Sequence, residues 1–287
     1  MTHTGTDRMA GRTVVVTGSS GGIGRATAQR LAQMGATVAV VGRDRIRTED
    51  AAGQIRGATQ SHVDAYTADL SSQTQVRRLA TELLDTLPRI DVLINNAGGY
   101  WNTRHVTDDG LERTFAINHL APFLLTSLLL ERLKDSSDGR VVTVSSNAES
   151  MGSIDFDDLQ GERSYSGARA YNQSKLANVL FTHELARRLR GTSVTANALH
   201  PGVVRTAFGA DDPGRAQRVF VPLVRPFMRT PERGAATSVL LASSPDLNGV
   251  RGQFFRNGKQ KRSSKPSYDQ DVAARLWRTS AELVAPL

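Results

Sequence analysis

Six short runs of apolar, largely β-branched residues recur along the chain, each separated from the next by a segment of helical period. This alternation constrains the fold more than any other feature. The runs are TVVVTG (Thr13 to Gly18), TVAVVG (Thr37 to Gly42), VDAYTADL (Val63 to Leu70), DVLINNAG (Asp91 to Gly98), RVVTVSS (Arg140 to Ser146) and SVTANALHPG (Ser193 to Gly202). A strand buried on both faces has this composition, and parallel neighbours need a crossover long enough to hold a helix. Two intervening segments, IGRATAQRLAQMG and TQVRRLATELLDTL, close at Gly35 and Pro88, as helices do. The expected class is therefore α/β, a single doubly wound parallel sheet with helices on both faces. GQFF (Gly252 to Phe255) is a candidate seventh strand. No linker, repeat or low-complexity segment divides the chain, so residues 1–287 are expected to form one domain, with about 1–11 a flexible N-terminus.

Composition narrows the function classes. A length of 287 residues with 39% apolar and 22% charged positions allows a large buried core and excludes disorder. No stretch of about 18 or more uncharged apolar residues occurs. LAPFLLTSLLLERL, from Leu120, carries Pro, Thr and Ser and meets Glu131, so it is expected to be a buried helix and not a membrane span. The opening MTHTGTDRMAGR lacks the apolar core of a signal peptide, and the cytoplasm is the expected location. The absence of cysteine excludes disulfides and thiolate metal sites and leaves the redox compartment open. His119 and His200 have no partner at ligand spacing, so they are read as core or surface histidines and no metal is expected. The net charge of +8 would suit a polyanion, yet the arginines are scattered and no nucleic-acid partner is expected. The one dense basic run, GKQKRSSKPS with Lys259, Lys261, Arg262 and Lys265, is expected to be a solvated loop. A phosphorylated or acidic ligand is the other reading.

The first run leads straight into TGSSGGIGRA, with glycines at 18, 22 and 24. Glycine lets backbone turn sharply and approach a pyrophosphate, and the N-terminus of the following helix supplies amide donors and a positive dipole. The spacing is Gly-x-x-x-Gly-x-Gly between a predicted strand and a predicted helix, the context that a dinucleotide site requires. Where NAD-binding sheets place a carboxylate after the second strand, this chain has Arg43, whose guanidinium would pair with a 2′-phosphate. NADP is therefore expected, although Asp44 could take the acidic role if the strand ran one residue further. Asp69, at the end of the third run, is either an adenine-side residue or a helix N-cap.

TGSSGGIG, NNAG (Asn95 to Gly98), Asn118, Ser145–Ser146, YNQSK (Tyr171 to Lys175) and HPG ending in Gly202 stand together in one order. In these motifs, over almost its whole length, the chain resembles the short-chain dehydrogenase/reductase family. NHLAPFLLT and DFDDLQGERSYSGARAYNQSKLAN resemble its retinol-dehydrogenase-like and WW-domain-oxidoreductase-like branch, although no WW domain is present. The resemblance implies a Rossmann fold and a catalytic set of Asn118, Ser146, Tyr171 and Lys175. It also implies cofactor contacts from Gly18, Ser20, Gly22, Ile23 and Gly24, through Arg43, Asp69 and Leu70, to Asn96, Ala97 and Gly98. Tyr171, Lys175, Pro201, Gly202, Val204 and Thr206 complete the implied cofactor set. In the family's pattern Asn118 bends its helix and holds a water of a proton relay.

Of the two tyrosines before Lys175, only Tyr171 has the lysine four positions on, on the same helix face; Tyr165 has Arg169 there. A nearby cation favours phenolate, so Lys175 is expected to bring Tyr171 down toward neutrality, and Tyr165 is expected to be an exposed or packing tyrosine. Strand alternation puts Ser145 and Ser146 on opposite faces. The resemblance selects Ser146 to hold the substrate oxygen and leaves Ser145 to bond backbone. Ser146 and Tyr171 lie 25 positions apart, about twice the family's gap, and the excess around SIDFDDLQGERS is expected to be a loop at the substrate mouth.

The implied activity is NADP(H)-dependent hydride transfer between the nicotinamide and a carbonyl or alcohol carbon of an apolar small molecule. The alternative is a non-catalytic NADP-binding sensor or scaffold. Tyr100, Trp101, Phe208, Phe220 and Phe227 are expected around the substrate, with residues about 203–230 covering it. A homodimer or tetramer pairing through LAPFLLTSLLL and LANVLFTHEL is expected, as the family's members pair.

Overall fold

The structure, a computed structural model, describes residues 8–205, 212 and 228–285. Eight strands form one sheet: β1 (Thr13–Thr17), β2 (Thr37–Gly42), β3 (Val63–Thr67), β4 (Val92–Asn95), β5 (Arg140–Val144), β6 (Thr195–His200), β7 (Phe254–Arg256) and β8 (Lys259–Lys261). Their spatial order is β3-β2-β1-β4-β5-β6-β7-β8, parallel throughout except for the last pair. The six expected strands are all present, but five end early. Gly18 and the tails ADL, NAG, SS and PG leave the sheet after Thr17, Thr67, Asn95, Val144 and His200 and become loops above its carboxyl edge. The seventh begins at Phe254, because Gly252 has φ +65° and cannot continue a ladder.

β8 corrects the expectation of a loop. Asn257 (φ 54°) and Gly258 (φ 71°) make a tight turn with both residues left-handed, the geometry that Asn-Gly selects for a two-residue hairpin, and Lys259–Lys261 therefore return antiparallel along β7.

The helices are α1 (Gly22–Ala32), α2 (Arg45–Thr59), α3 (Gln73–Thr86), α4 (Arg113–Phe115), α5 (Ala121–Lys134), α6 (Gly167–Arg188), α7 (Pro231–Ser243) and α8 (Gln270–Leu283). A π-helical turn, Ala116–Leu120, joins α4 to α5. The sheet's two faces divide the core by strand alternation. Val15, Ala39, Val41 and Leu93 pack toward α3, α5, α6 and α8, whereas Val14, Val16, Val38 and Ile94 pack toward α1, α2 and α7.

Among the described residues one helical rod, Arg113–Lys134, is long and apolar enough to cross a membrane, and 78% of its most apolar stretch is buried inside the protein, as a core helix. α8 packs across part of α5 and α6, the helices whose apolar faces suggested pairing. The Trp277 ring stands 4.9 Å from Phe123 of α5 and stacks 5.9 Å from Phe181 of α6, with the Arg188 guanidinium 4.4 Å over it. Ala273 and Leu276 are buried in the same contact.

Candidate active site

The site opens above the carboxyl edge where β1 and β4 are neighbours and the chain order reverses, the place where open α/β sheets bind ligands. Gly18 has φ +64°, and a Cβ there would come within 2.8 Å of Ala97 Cα; one on Gly24 would collide with the Gly18 carbonyl. The turn is therefore closed to side chains. Gly21, the N-cap of α1, provides no side-chain bond, which leaves the leading amides to a ligand or water. Asn96 pins the turn from β4, its Nδ2 donating to Thr17 O at 2.8 Å and Gly18 O at 3.2 Å. A cavity of about 440 Å³ follows, lined by Gly18, Ser20, Gly22, Ile23, Gly24, Arg43, Asp69, Leu70, Ala97 and Gly98 among others. A shaped, glycine-floored cleft over a helix N-terminus fits a dinucleotide.

At the end of the cavity beside β2 and β3, Asp44 and Asp69 both line the wall. Asp44 is the N-cap of α2, its Oδ1 accepting the Arg47 N–H at 3.0 Å, so its carboxylate is engaged by the helix. The Asp69 carboxylate accepts the Ser71 N–H at 2.9 Å and hydroxyl at 2.8 Å, while Ser72 caps α3, so Asp69 lines the cavity without being the helix cap. Arg47, which the sequence reading missed, lines the cavity beside Arg43, and its guanidinium lies 4.0 Å from where a Gly21 Cβ would stand. Its signal was the spacing of four from Arg43 into the first turn of α2.

Val204 packs near Ile23 and Gly234 and forms a parallel bridge with Arg229, in which Arg205 N–H donates to Arg229 O at 2.9 Å and Arg229 N–H to Val203 O at 2.9 Å. Gly202, at φ +91°, faces Arg229, with Pro201 before it. Thr206, Phe208, Phe220 and Phe227 lie outside the described residues, as do residues 1–7 of the expected N-terminal arm.

Asn118, Ser146, Tyr171 and Lys175 come together at the other end. The Ser146 hydroxyl lies near enough to Tyr171 to favour its phenolate, and it accepts the Ala148 N–H at 3.2 Å, capping the 3-10 turn Asn147–Met151. Ser145, on the opposite face, is buried and donates to Lys175 O at 2.7 Å. Lys175 Nζ donates to Val144 O at 3.4 Å and lies under Gly98, where a Cβ would stand 3.3 Å from it.

Asn118 sits in the π turn, fully buried. Its Oδ1 accepts the Gly99 N–H at 2.8 Å, and its Nδ2 donates to Gly99 O at 3.0 Å and to Ser174 Oγ at 2.9 Å. The side chain is thus a tie between the loop after β4 and α6.

The expected titration of Tyr171 is corrected. Burial pushes its phenol up to about 12, against a lowering by the Ser146 hydroxyl, and burial brings Lys175 down to about 8. The ammonium stands over the tyrosine ring, 5.5 Å from its centre, and desolvation outweighs the cation's pull on the phenol.

Tyr165 is a packing residue, as expected, and it is buried enough that its phenol rises to about 12. Its hydroxyl donates to Trp101 O at 3.3 Å and to Glu112 Oε1 at 3.2 Å. Tyr100 meets Tyr171 edge to face at 5.6 Å, while Trp101 is buried beneath the Arg113 guanidinium. The additional loop is itself packed, with Ile154, Phe156 and Leu159 against the core and Gln173 bonding Asp155 N and Leu159 O. His119 bonds Ser280 at 2.8 Å, and His200 accepts the Asn147 N–H at 3.2 Å; burial first brings both to about 4. Among the described residues no group of three His, Asp or Glu could hold a metal.

The profile of the short chain dehydrogenases matches residues 12–214. Retinol dehydrogenase 14 of Mus musculus is 46% identical over 299 residues, covering 97% of this chain and 87% of that protein. An uncharacterized protein from Mycobacterium paratuberculosis superposes with TM-score 0.78 at 38% identity, over 97% of this chain and 96% of that one. A Shigella flexneri structure described as a short chain dehydrogenase complexed with NADP has TM-score 0.70 at 25% identity, over 88% and 100% of the two chains.

Proposed function

The chain belongs to the short-chain dehydrogenase family, whose members are oxidoreductases using a nicotinamide cofactor, and on that premise we propose that it interconverts the carbonyl and alcohol forms of an apolar small molecule with NADP(H). The convergence of Ser146, Tyr171 and buried Lys175, whose Nζ stands 5.5 Å from the Tyr171 ring centre, at the end of the glycine-floored cleft carries the reading. The nicotinamide, when bound, supplies or accepts the hydride. Ser146 and Tyr171 together hold the substrate oxygen, and the Tyr171 hydroxyl gives it a proton in reduction and takes one in oxidation. With its phenol near 12, Tyr171 is fully protonated at neutral pH, which suits the donor role and the reductive direction. Asn118 holds the loop of Gly98 and Gly99 against α6, so that Lys175 meets the cleft in one position. Tyr100, against Tyr171, forms an aromatic wall for an apolar substrate of the retinoid kind. A panel of apolar aldehydes, ketones and alcohols followed by nicotinamide absorbance tests the reading, and no turnover with either cofactor would overturn it.

Arg43 and Arg47 at the adenosine end make NADP(H) the proposed partner. Each charge-assisted bond to a 2′-phosphate is worth about 1.5–3 kcal/mol. Arg43→Ala and Arg47→Ala are each expected to weaken NADPH about ten- to over a hundredfold and to leave NADH within a few-fold. Equal losses for both cofactors, or a wild-type preference for NADH, would overturn the assignment. We take residues 1–287 as one domain acting in the cytoplasm. We also propose assembly as a homodimer or tetramer, which sedimentation at micromolar concentration tests; a monomer there would overturn it.

A further inference from the structure

A second concavity, of about 800 Å³, lies beyond the sheet's edge between the β7–β8 hairpin, the 3-10 turn that follows Ser146, and Ser263–Ser264. Antiparallel register sets Arg256 opposite Lys259 and Phe254 opposite Lys261. Alternate strand residues share a face, so these four side chains line the groove together, and Arg262 lines it beside them. Gln260, between the lysines, instead bonds Gln253 at 2.6 Å. Like charges directly opposite each other destabilise an antiparallel pair. Among the described residues no carboxylate forms a salt bridge with Arg256, Lys259, Lys261 or Arg262. The hairpin does not need them to fold, since Asn257 and Gly258 supply its turn.

The groove's other wall leads back to the active site. Asn147 lines it, follows Ser146 directly, and donates its N–H to His200. Glu149 is the one carboxylate in the lining; it is 4% exposed, its two oxygens accept the Ser264 N–H and hydroxyl, and the four cations of the lining outnumber it. Phe254, also 4% exposed, is an apolar floor.

We infer that this groove receives the anionic end of an amphipathic substrate, a carboxylate or a phosphate, whose carbonyl lies at Ser146 and Tyr171; the inference rests on the reaction proposed above. An exposed ion pair contributes about 1.4- to 5-fold, so the four cations, offset by the one Glu149 carboxylate to about three net charges, correspond to a preference of roughly tenfold.

The test is reduction of ω-oxo fatty acids of graded chain length by the wild-type enzyme with NADPH, each compared with its methyl ester. The matching phosphomonoester aldehyde is run beside them to tell phosphate from carboxylate. At the chain length that spans the two sites, one of the anions is expected to exceed the neutral ester in kcat/KM by about tenfold at low salt. That advantage should shrink as ionic strength rises and fall severalfold in Lys259→Gln/Lys261→Gln, which keeps Arg256 and Arg262 and whose fold is checked by NADPH binding. Equal rates for anion and ester at every length, or an advantage undiminished in the double variant, would overturn the proposal. Equilibrium dialysis of the same oxo acid against enzyme saturated with NADPH separates the two readings. Binding weakened in the double variant without any turnover means that the groove stands and the reaction does not, whereas no binding at all overturns the groove.

Discussion

Tyr171→Phe is expected to lower kcat by about 10² to 10⁴, the usual contribution of a positioned general acid, while NADPH affinity and the folded structure persist. Only one hydroxyl disappears, and with it the proton that the substrate oxygen would receive. Tyr165→Phe is the control. It removes bonds to Trp101 O and Glu112, so it should lower stability by about 1 kcal/mol and leave turnover nearly unchanged. Steady-state kinetics of both variants, with cofactor binding and thermal melting alongside, decide between the two tyrosines. Retained turnover in Tyr171→Phe, or its loss in Tyr165→Phe, would show that the site has been placed on the wrong turn of the chain.

Lys175→Met should be nearly inactive and yet more stable than the wild type at neutral pH. Burial holds the Lys175 ammonium at about 8 in the folded protein, below the 10.5 of a free side chain. Below about pH 8 the lysine is charged in both states, and the folded state bears the whole desolvation cost, on the order of 3 kcal/mol for a shift of this size. Between about 8 and 10.5 the unfolded chain holds a proton that the folded one has released, so this group's contribution to stability rises with pH. Methionine fills the same space without the charge. The variant should therefore gain up to about 3 kcal/mol at pH 7 and lose the upward slope between pH 8 and 10.5 in denaturant titrations. A variant less stable than wild type at pH 7 would mean that the ammonium is solvated or paired where it lies. Catalytically, Tyr171 must then ionise without a cation nearby, so residual alcohol oxidation should climb with pH more steeply than in wild type.

The sequence by itself determined whatever depends on neighbours along the chain. Alternating apolar runs specified six of the eight strands, glycines at 18, 22 and 24 specified the phosphate turn, and the four-residue step from Tyr171 to Lys175 put both on one helix face. The bend at Asn118, a π turn in the structure, was implied by the family resemblance and not by local pattern. Tertiary structure decided what depends on burial and on distant partners. No local pattern says that Trp277 closes over Phe123 and Phe181, more than 90 residues away, and so covers part of the helices that looked free to pair. The direction of the Tyr171 shift escaped sequence reasoning for the same reason: spacing reveals the nearby cation but not the water that burial removes, and desolvation is the larger effect here. The basic run read as a solvated loop became one wall of a groove because antiparallel register faced Lys259 and Lys261 toward Asn147, over a hundred positions earlier, and register is a property of paired strands rather than of either one.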